Sequence, residues 1–161
     1  MELFLVILLV LCLAGSGTLI FVFSRKTIKT FTSSAPFQDL ENALVETVAE
    51  RGWKLLSMHD LQAKLVNAGY DFKRIAVFEI CKPDYAAAVL ELDRNKKFSA
   101  LMPCRISMYE TAEGGTGISM INSGLMARLF GGVVNRVMGR ASDESEEIIQ
   151  TTINKAQSNE Q

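Results

Sequence analysis

The stretch RIAVFEI, residues 74–80, decides the fold. It is a short, mostly apolar run rich in β-branched residues, bounded by turn signals, and reads as a strand. Tyr70 and Phe72 lead into it, and Cys81-Lys82-Pro83 turns the chain at its end. Downstream, Pro83 and Asp84 open a helix that runs through Tyr85, Ala88, Val89 and Leu92. A charged loop, Asp93 to Lys97, follows. Phe98 to Glu110 reads as extended and is interrupted at Met102-Pro103. Beyond that break Cys104, Ile106 and Met108 share one face, and Arg105, Ser107 and Tyr109 the other. Glu113-Gly114-Gly115 supplies a turn, and Gly117 to Ile121 the returning strand.

Upstream of the decisive strand, Asp60 caps a helix through Leu61, Leu65 and Val66 that Gly69 terminates. Trp53 to Met58 is a further strand. Before it, Pro36 opens a helix with Phe37, Leu40, Leu44, Val45 and Val48 on one side, which Arg51-Gly52 ends. The last third is helical by pattern. Leu125, Leu129, Val133 and Val137 repeat every four residues, as do Met126, Phe130, Val134 and Met138. This stripe is core or an interaction face, the latter comprising Leu125, Met126, Leu129, Phe130, Val133, Val134 and Val137. Gly131-Gly132 weakens the helix at its middle. A second helix begins near Asp143, which has capping-box spacing to Glu146, and its apolar face (Ile148, Ile149, Ile153) is thin. Two or three antiparallel strands with helices mainly on one sheet face make a small α+β domain.

The chain begins differently. Leu3 to Phe23 is an uncharged apolar run of 21 residues, followed at once by Arg25, Lys26 and Lys29. About 20 such residues span the hydrocarbon core as a helix, so a transmembrane helix is expected to precede the domain. Its bulky, basic end argues against a cleaved signal. The basic flank places the soluble part on the cytosolic side, with the exported side left open. The expected organisation is an anchor over 1–24, a polar tether over 25–36, the α+β domain over 37–140, and a C-terminal helix with a fraying tail over 141–161. The expected partners are the bilayer, through residues 3–23, and a second copy or an unidentified protein.

After residue 36 the chain carries 14 Lys/Arg against 17 Asp/Glu, with no concentrated basic face. That excludes an ordinary nucleic-acid binder. The chain has three cysteines, Cys12, Cys81 and Cys104, and one histidine, His59. His59, Cys81 and Cys104 each lie near a strand end, and imidazole and thiolate are what zinc, copper(I) or haem iron would take. No spaced metal motif, serine elbow or phosphate-binding glycine loop accompanies them. The chain therefore reads as a non-catalytic protein rather than an enzyme, and no cofactor is specified.

Trp53 to Asn122 resembles a widespread prokaryotic family, domain of unknown function family 302. The pieces that carry the likeness are Phe78-Glu79-Ile80-Cys81-Lys82-Pro83, Met102-Pro103-Cys104-Arg105-Ile106, and Tyr109-Glu110 with the glycine turn. The resemblance implies a compact α+β domain, often dimeric, in accessory proteins that are often exported or membrane-linked and have no established activity. Many members place histidine at the position of Asp60, so His59 is displaced by one. A glycine-containing stretch is more typical at 79–81, and leucine at 104, which assigns Cys81 and Cys104 to a subgroup. Two functional expectations follow. One is a membrane-anchored accessory domain that self-associates or binds a membrane-associated partner. The other is a metal- or haem-binding or redox accessory protein using His59, Cys81 and Cys104.

Overall fold

The computed structural model describes residues 26–158. Five strands form one antiparallel sheet: β1 (Ile28–Ser33), β2 (Lys54–Asp60), β3 (Ile75–Cys81), β4 (Cys104–Glu110) and β5 (Thr116–Ile121). Their spatial order is β1-β5-β4-β3-β2. The helices are α1 (Phe37–Glu50), α2 (Leu61–Asn67), α3 (Pro83–Leu90), α4 (Ser123–Ala127) and α5 (Gly132–Ser158), with 3-10 turns over Asp93–Leu101.

The decisive strand behaves as its pattern requires. Ala76, Phe78 and Ile80 are buried while Ile75, Val77 and Glu79 are half-exposed. Its neighbours repeat the alternation, with Ile106 and Met108 on β4 and Ile118 and Met120 on β5 turned to the same side. Helices α1 and α5 cover that side. Leu40, Leu44 and Val48 meet Ile148, Ile149 and Ile153 there in one core cluster. The small α+β fold with helices on one sheet face is therefore as expected, with more strands.

The extra strand comes from the segment read as a tether. Ile28–Ser33 pairs antiparallel with β5 along its whole length. Its polar composition suits an edge strand, since one side of the hydrogen-bond ladder and one face stay wet. Phe31 packs on the core, and Lys29 reaches Glu146 of α5.

The C-terminal third is also simpler than its pattern suggested. The long helix α5 runs unbroken across residues 140 and 141. Asp143 lies inside it, so the spacing to Glu146 is not a capping box. Ile148 and Ile149 are fully buried against α1, which corrects the thin, partly packed face. Gly131 and Gly132, with φ +67° and +55°, mark the turn into this helix rather than a bend within it. Phe98 to Leu101, expected to be extended, belongs to the 3-10 turns, and the Met102-Pro103 bond that follows is cis.

A satellite cluster of Val89, Ala127, Val134 and Met138, with Leu90, Phe98 and Met102 against it, joins α3, α4 and the start of α5. The transmembrane helix expected over residues 3–23 lies outside the described residues. Among the described residues no helix is long and apolar enough to cross a membrane. The single-pass topology and the cytosolic placement derived from it are withdrawn. The last residues of the expected fraying tail, 159–161, are likewise outside the described part.

Candidate functional site: a cleft at one end of the sheet

Where β3 ends, β4 begins and β5 ends, the helix layer does not close over the sheet. A cavity of about 270 Å³ opens there. Its lining includes Leu101, Met102 and Cys104 before and at the start of β4, Met120 on β5, Ser123 and Met126 on α4, and Met138 and Ser145 on α5. The reason lies in the sequence of α5. Its sheet-facing positions Ala141, Ser142 and Ser145 are small, whereas Ile148, Ile149 and Ile153 further along are large. Small residues against a sheet end leave space that large residues fill elsewhere.

A narrower recess of about 40 Å³ adjoins the cavity, and the two share Leu101, Met102, Pro103, Cys104, Ser123 and Met138 as walls. Trp53, Cys81, Lys82 and Tyr85 line its far side. Three of the surrounding donors converge on one carboxylate. Trp53 Nε1 donates to Glu144 Oε2 at 3.0 Å and Lys82 Nζ to the same oxygen at 2.8 Å, while Tyr85 Oη donates to Oε1. Partial burial pushes the Glu144 pKa up, but the Lys82, Tyr85 and Trp53 hydrogen bonds outweigh it and hold it below its ordinary value. Trp53 and Tyr85 meet edge to face, with centroids 6.1 Å apart.

Ser145 is the unusual group. It is 1% exposed and borders the cavity, and its hydroxyl has the Cys104 thiol, a weak hydrogen-bonding group, as a side-chain partner. It lies close enough to Cys104 to act on that thiol. Burial raises the Cys104 pKa, Ser145 opposes the rise, and the neighbouring Cys81 adds to it. Burial also raises the Cys81 pKa. Both cysteines are free thiols.

The three residues expected to share a metal do not come together. Cys81 and Cys104 border the same recess, but His59 does not. On the opposite sheet face, His59 Nε2 stands 3.3 Å from Glu79 Oε1, an oxygen that also accepts from Arg105 Nε at 3.1 Å and Nη2 at 2.7 Å. Arg105 holds the Glu79 pKa below its ordinary value, His59 adding to the effect against desolvation. Among the described residues no group of three or more His, Cys, Asp or Glu could hold a metal ion. The metal, haem or redox reading is therefore withdrawn.

The expected interaction face divides. Val134 is buried in the satellite cluster, with Val133 and Val137 packed against it. Met126 turns into the cleft, and Leu125 is half-buried. Leu129 and Phe130 are exposed, Phe130 lying against Phe98 at 4.8 Å between centroids. Sequence reasoning missed Ser145, Met120 and Glu144 as site residues. The signal available was the run of small residues at Ala141, Ser142 and Ser145 on the core face of a helix.

The fold and site together define a small antiparallel-sheet α+β domain with an apolar cleft at one sheet end. Residues 29–156 match the family model described as "Domain of unknown function DUF302", and the chain belongs to that family. Among solved structures it is similar to the "uncharacterized conserved protein DUF302 from Bacillus stearothermophilus". That likeness has a TM-score of 0.67 and 20% identity, over 81% of this chain and 98% of that one. It speaks to the fold alone. No curated protein matches the chain. Neither the described residues nor these likenesses support the bilayer contact, the homodimer or the unidentified partner protein, and the anchored accessory-domain reading is withdrawn with them.

Proposed function

We infer that the domain is a binding module for a small, largely apolar molecule carrying one hydrogen-bonding group, taken up in the cleft between β4, β5, α4 and α5. The observation that carries this reading is the largely apolar cavity of about 270 Å³, with the buried Ser145 hydroxyl behind its wall against the Cys104 thiol. A thiol is a weak hydrogen-bond partner, so a ligand group that replaces it at Ser145 gains about 1 kcal/mol in addition to apolar burial. Concave, chiefly apolar sites with few polar groups are the usual form of small-molecule pockets.

The test is calorimetric titration of the full chain with cyclohexylmethanol. At roughly −0.5 kcal/mol per heavy atom its eight heavy atoms give a Kd of about 1 mM. Ser145→Ala should weaken binding about fivefold, and Met126→Trp, which fills the cavity, should abolish it. Circular dichroism and melting confirm that each variant is folded. Absence of saturable binding, or binding that neither variant changes, overturns the reading.

A further inference from the structure

The cleft has a chemical character beyond being apolar. Four of the chain's seven methionines, Met102, Met120, Met126 and Met138, line it, joined by the Cys104 thiol. They come from four separate places in the fold: the approach to β4, then β5, α4 and α5. Sulfur-bearing side chains therefore border the cavity from several sides. Among the described residues no Phe, Tyr, Trp or His lines it, although Trp53 and Tyr85 stand in the adjoining recess.

Thioether sulfur is polarisable and makes favourable contacts with aromatic rings, commonly at the ring edge about 5 Å away. A sulfur-rich chamber with no ring of its own is complementary to a ligand that brings one. Methionine also bends to fit, so such walls close on a flat ring without the exact prior shape an isoleucine-lined slot would need. Size sets the rest. A dry cavity of about 150 Å³ accepts benzene, so about 270 Å³ accommodates two fused rings or one substituted ring.

We propose that the ligand is an aromatic compound of one or two rings bearing a single hydroxyl or carbonyl group, its ring held among Met102, Met120, Met126 and Met138 and its polar group paired with the Ser145 hydroxyl. This rests on the reading of the cleft as a binding site and specifies what enters it. Ser145 can donate to a carbonyl or exchange hydrogen bonds with a hydroxyl. Its position deep on α5 places the polar group of the ligand inward. Arg105 is committed to Glu79, which leaves no free cation among the described lining residues and disfavours a carboxylate in place of the neutral group.

The experiment compares 2-naphthol with decahydro-2-naphthol on the full chain, by calorimetry. The two share a carbon skeleton and hydroxyl position, and differ in ring electrons, ring planarity and the donor strength of the hydroxyl. Each sulfur–aromatic contact is worth roughly two- to tenfold in affinity. The aromatic probe is expected to bind at least fivefold more tightly. Met126→Leu with Met138→Leu, close in volume and without sulfur, should reduce that preference to about twofold. Equal binding of the two probes, or tighter binding of the saturated one, overturns the aromatic assignment and leaves the binding site standing. Failure of both probes to bind overturns the site itself. A preference that survives the double substitution also overturns the role given to the sulfurs.

Discussion

Replacing Glu144 by alanine tests the support of the cleft and has a magnitude that follows from its contacts. Trp53 is 2% exposed, and its indole N–H donates to Glu144 Oε2 at 3.0 Å. Alanine leaves that buried donor without its acceptor, at a cost of about 1–3 kcal/mol. Lys82 and Tyr85 sit nearer solvent and regain water, so each loses only about 0.2–1 kcal/mol. The expected loss of stability is about 2–4 kcal/mol. Glu144→Gln keeps an acceptor for Trp53 and removes the charge, so its loss should be about 1 kcal/mol. The pH dependence has a definite sign. The folded pKa of Glu144 is depressed, so its contribution is complete above the ordinary value of 4.5 and is lost as pH falls through the lower folded value. The gap between parent and Glu144→Gln should therefore be constant near neutrality and shrink on acidification. Urea unfolding followed by circular dichroism at pH 7 and at lower pH measures both quantities. A Glu144→Ala protein within 0.5 kcal/mol of the parent, or a Glu144→Gln gap indifferent to pH, would refute the reasoning.

Ile148 is fully buried between α1 and the sheet, and Ile148→Ala should cost about 2–5 kcal/mol in the same unfolding assay. A Cβ at Gly117 would come within 2.4 Å of the Tyr109 ring, so any side chain there must displace that ring. Gly117→Ala should lose about 1–3 kcal/mol, and most of that loss should vanish in a Tyr109→Ala background. Arg105→Ala should raise the Glu79 pKa toward its ordinary value, read by NMR titration. Because that pair lies on an exposed sheet face, stability at neutral pH should be nearly unchanged.

The parts of the fold legible in the sequence are those where burial enforces a period. Residues 75–81, 104–109 and 118–121 alternate because one face is sealed by helices and the other is not. Asp60 reads correctly as a cap, its Oδ1 accepting from the Ala63 amide at 2.8 Å. Strand β1 was hidden because its Lys, Thr and Ser residues satisfy an edge that pairs on one side only. The unity of α5 was hidden because Asp143 and Glu146 imitate a helix start. Their real partners lie elsewhere: Glu146 meets Lys29, from a strand more than a hundred residues earlier. The cleft was illegible for the same reason. Its walls come from residues as distant as Met102 and Ser145, and each methionine alone reads as ordinary core. His59 attracted attention as the chain's one histidine, whereas the structure gives it to Glu79 on the far sheet face.

The most direct measurement is NMR of the full chain carrying labelled methionine methyl groups, titrated with 2-naphthol. Met102, Met120, Met126 and Met138 should shift together along one saturable curve, while Met58 on β2 and Met108 in the closed core should stay in place. Stationary cleft methionines, or shifts as large at Met58 and Met108, would contradict a ligand site at this end of the sheet.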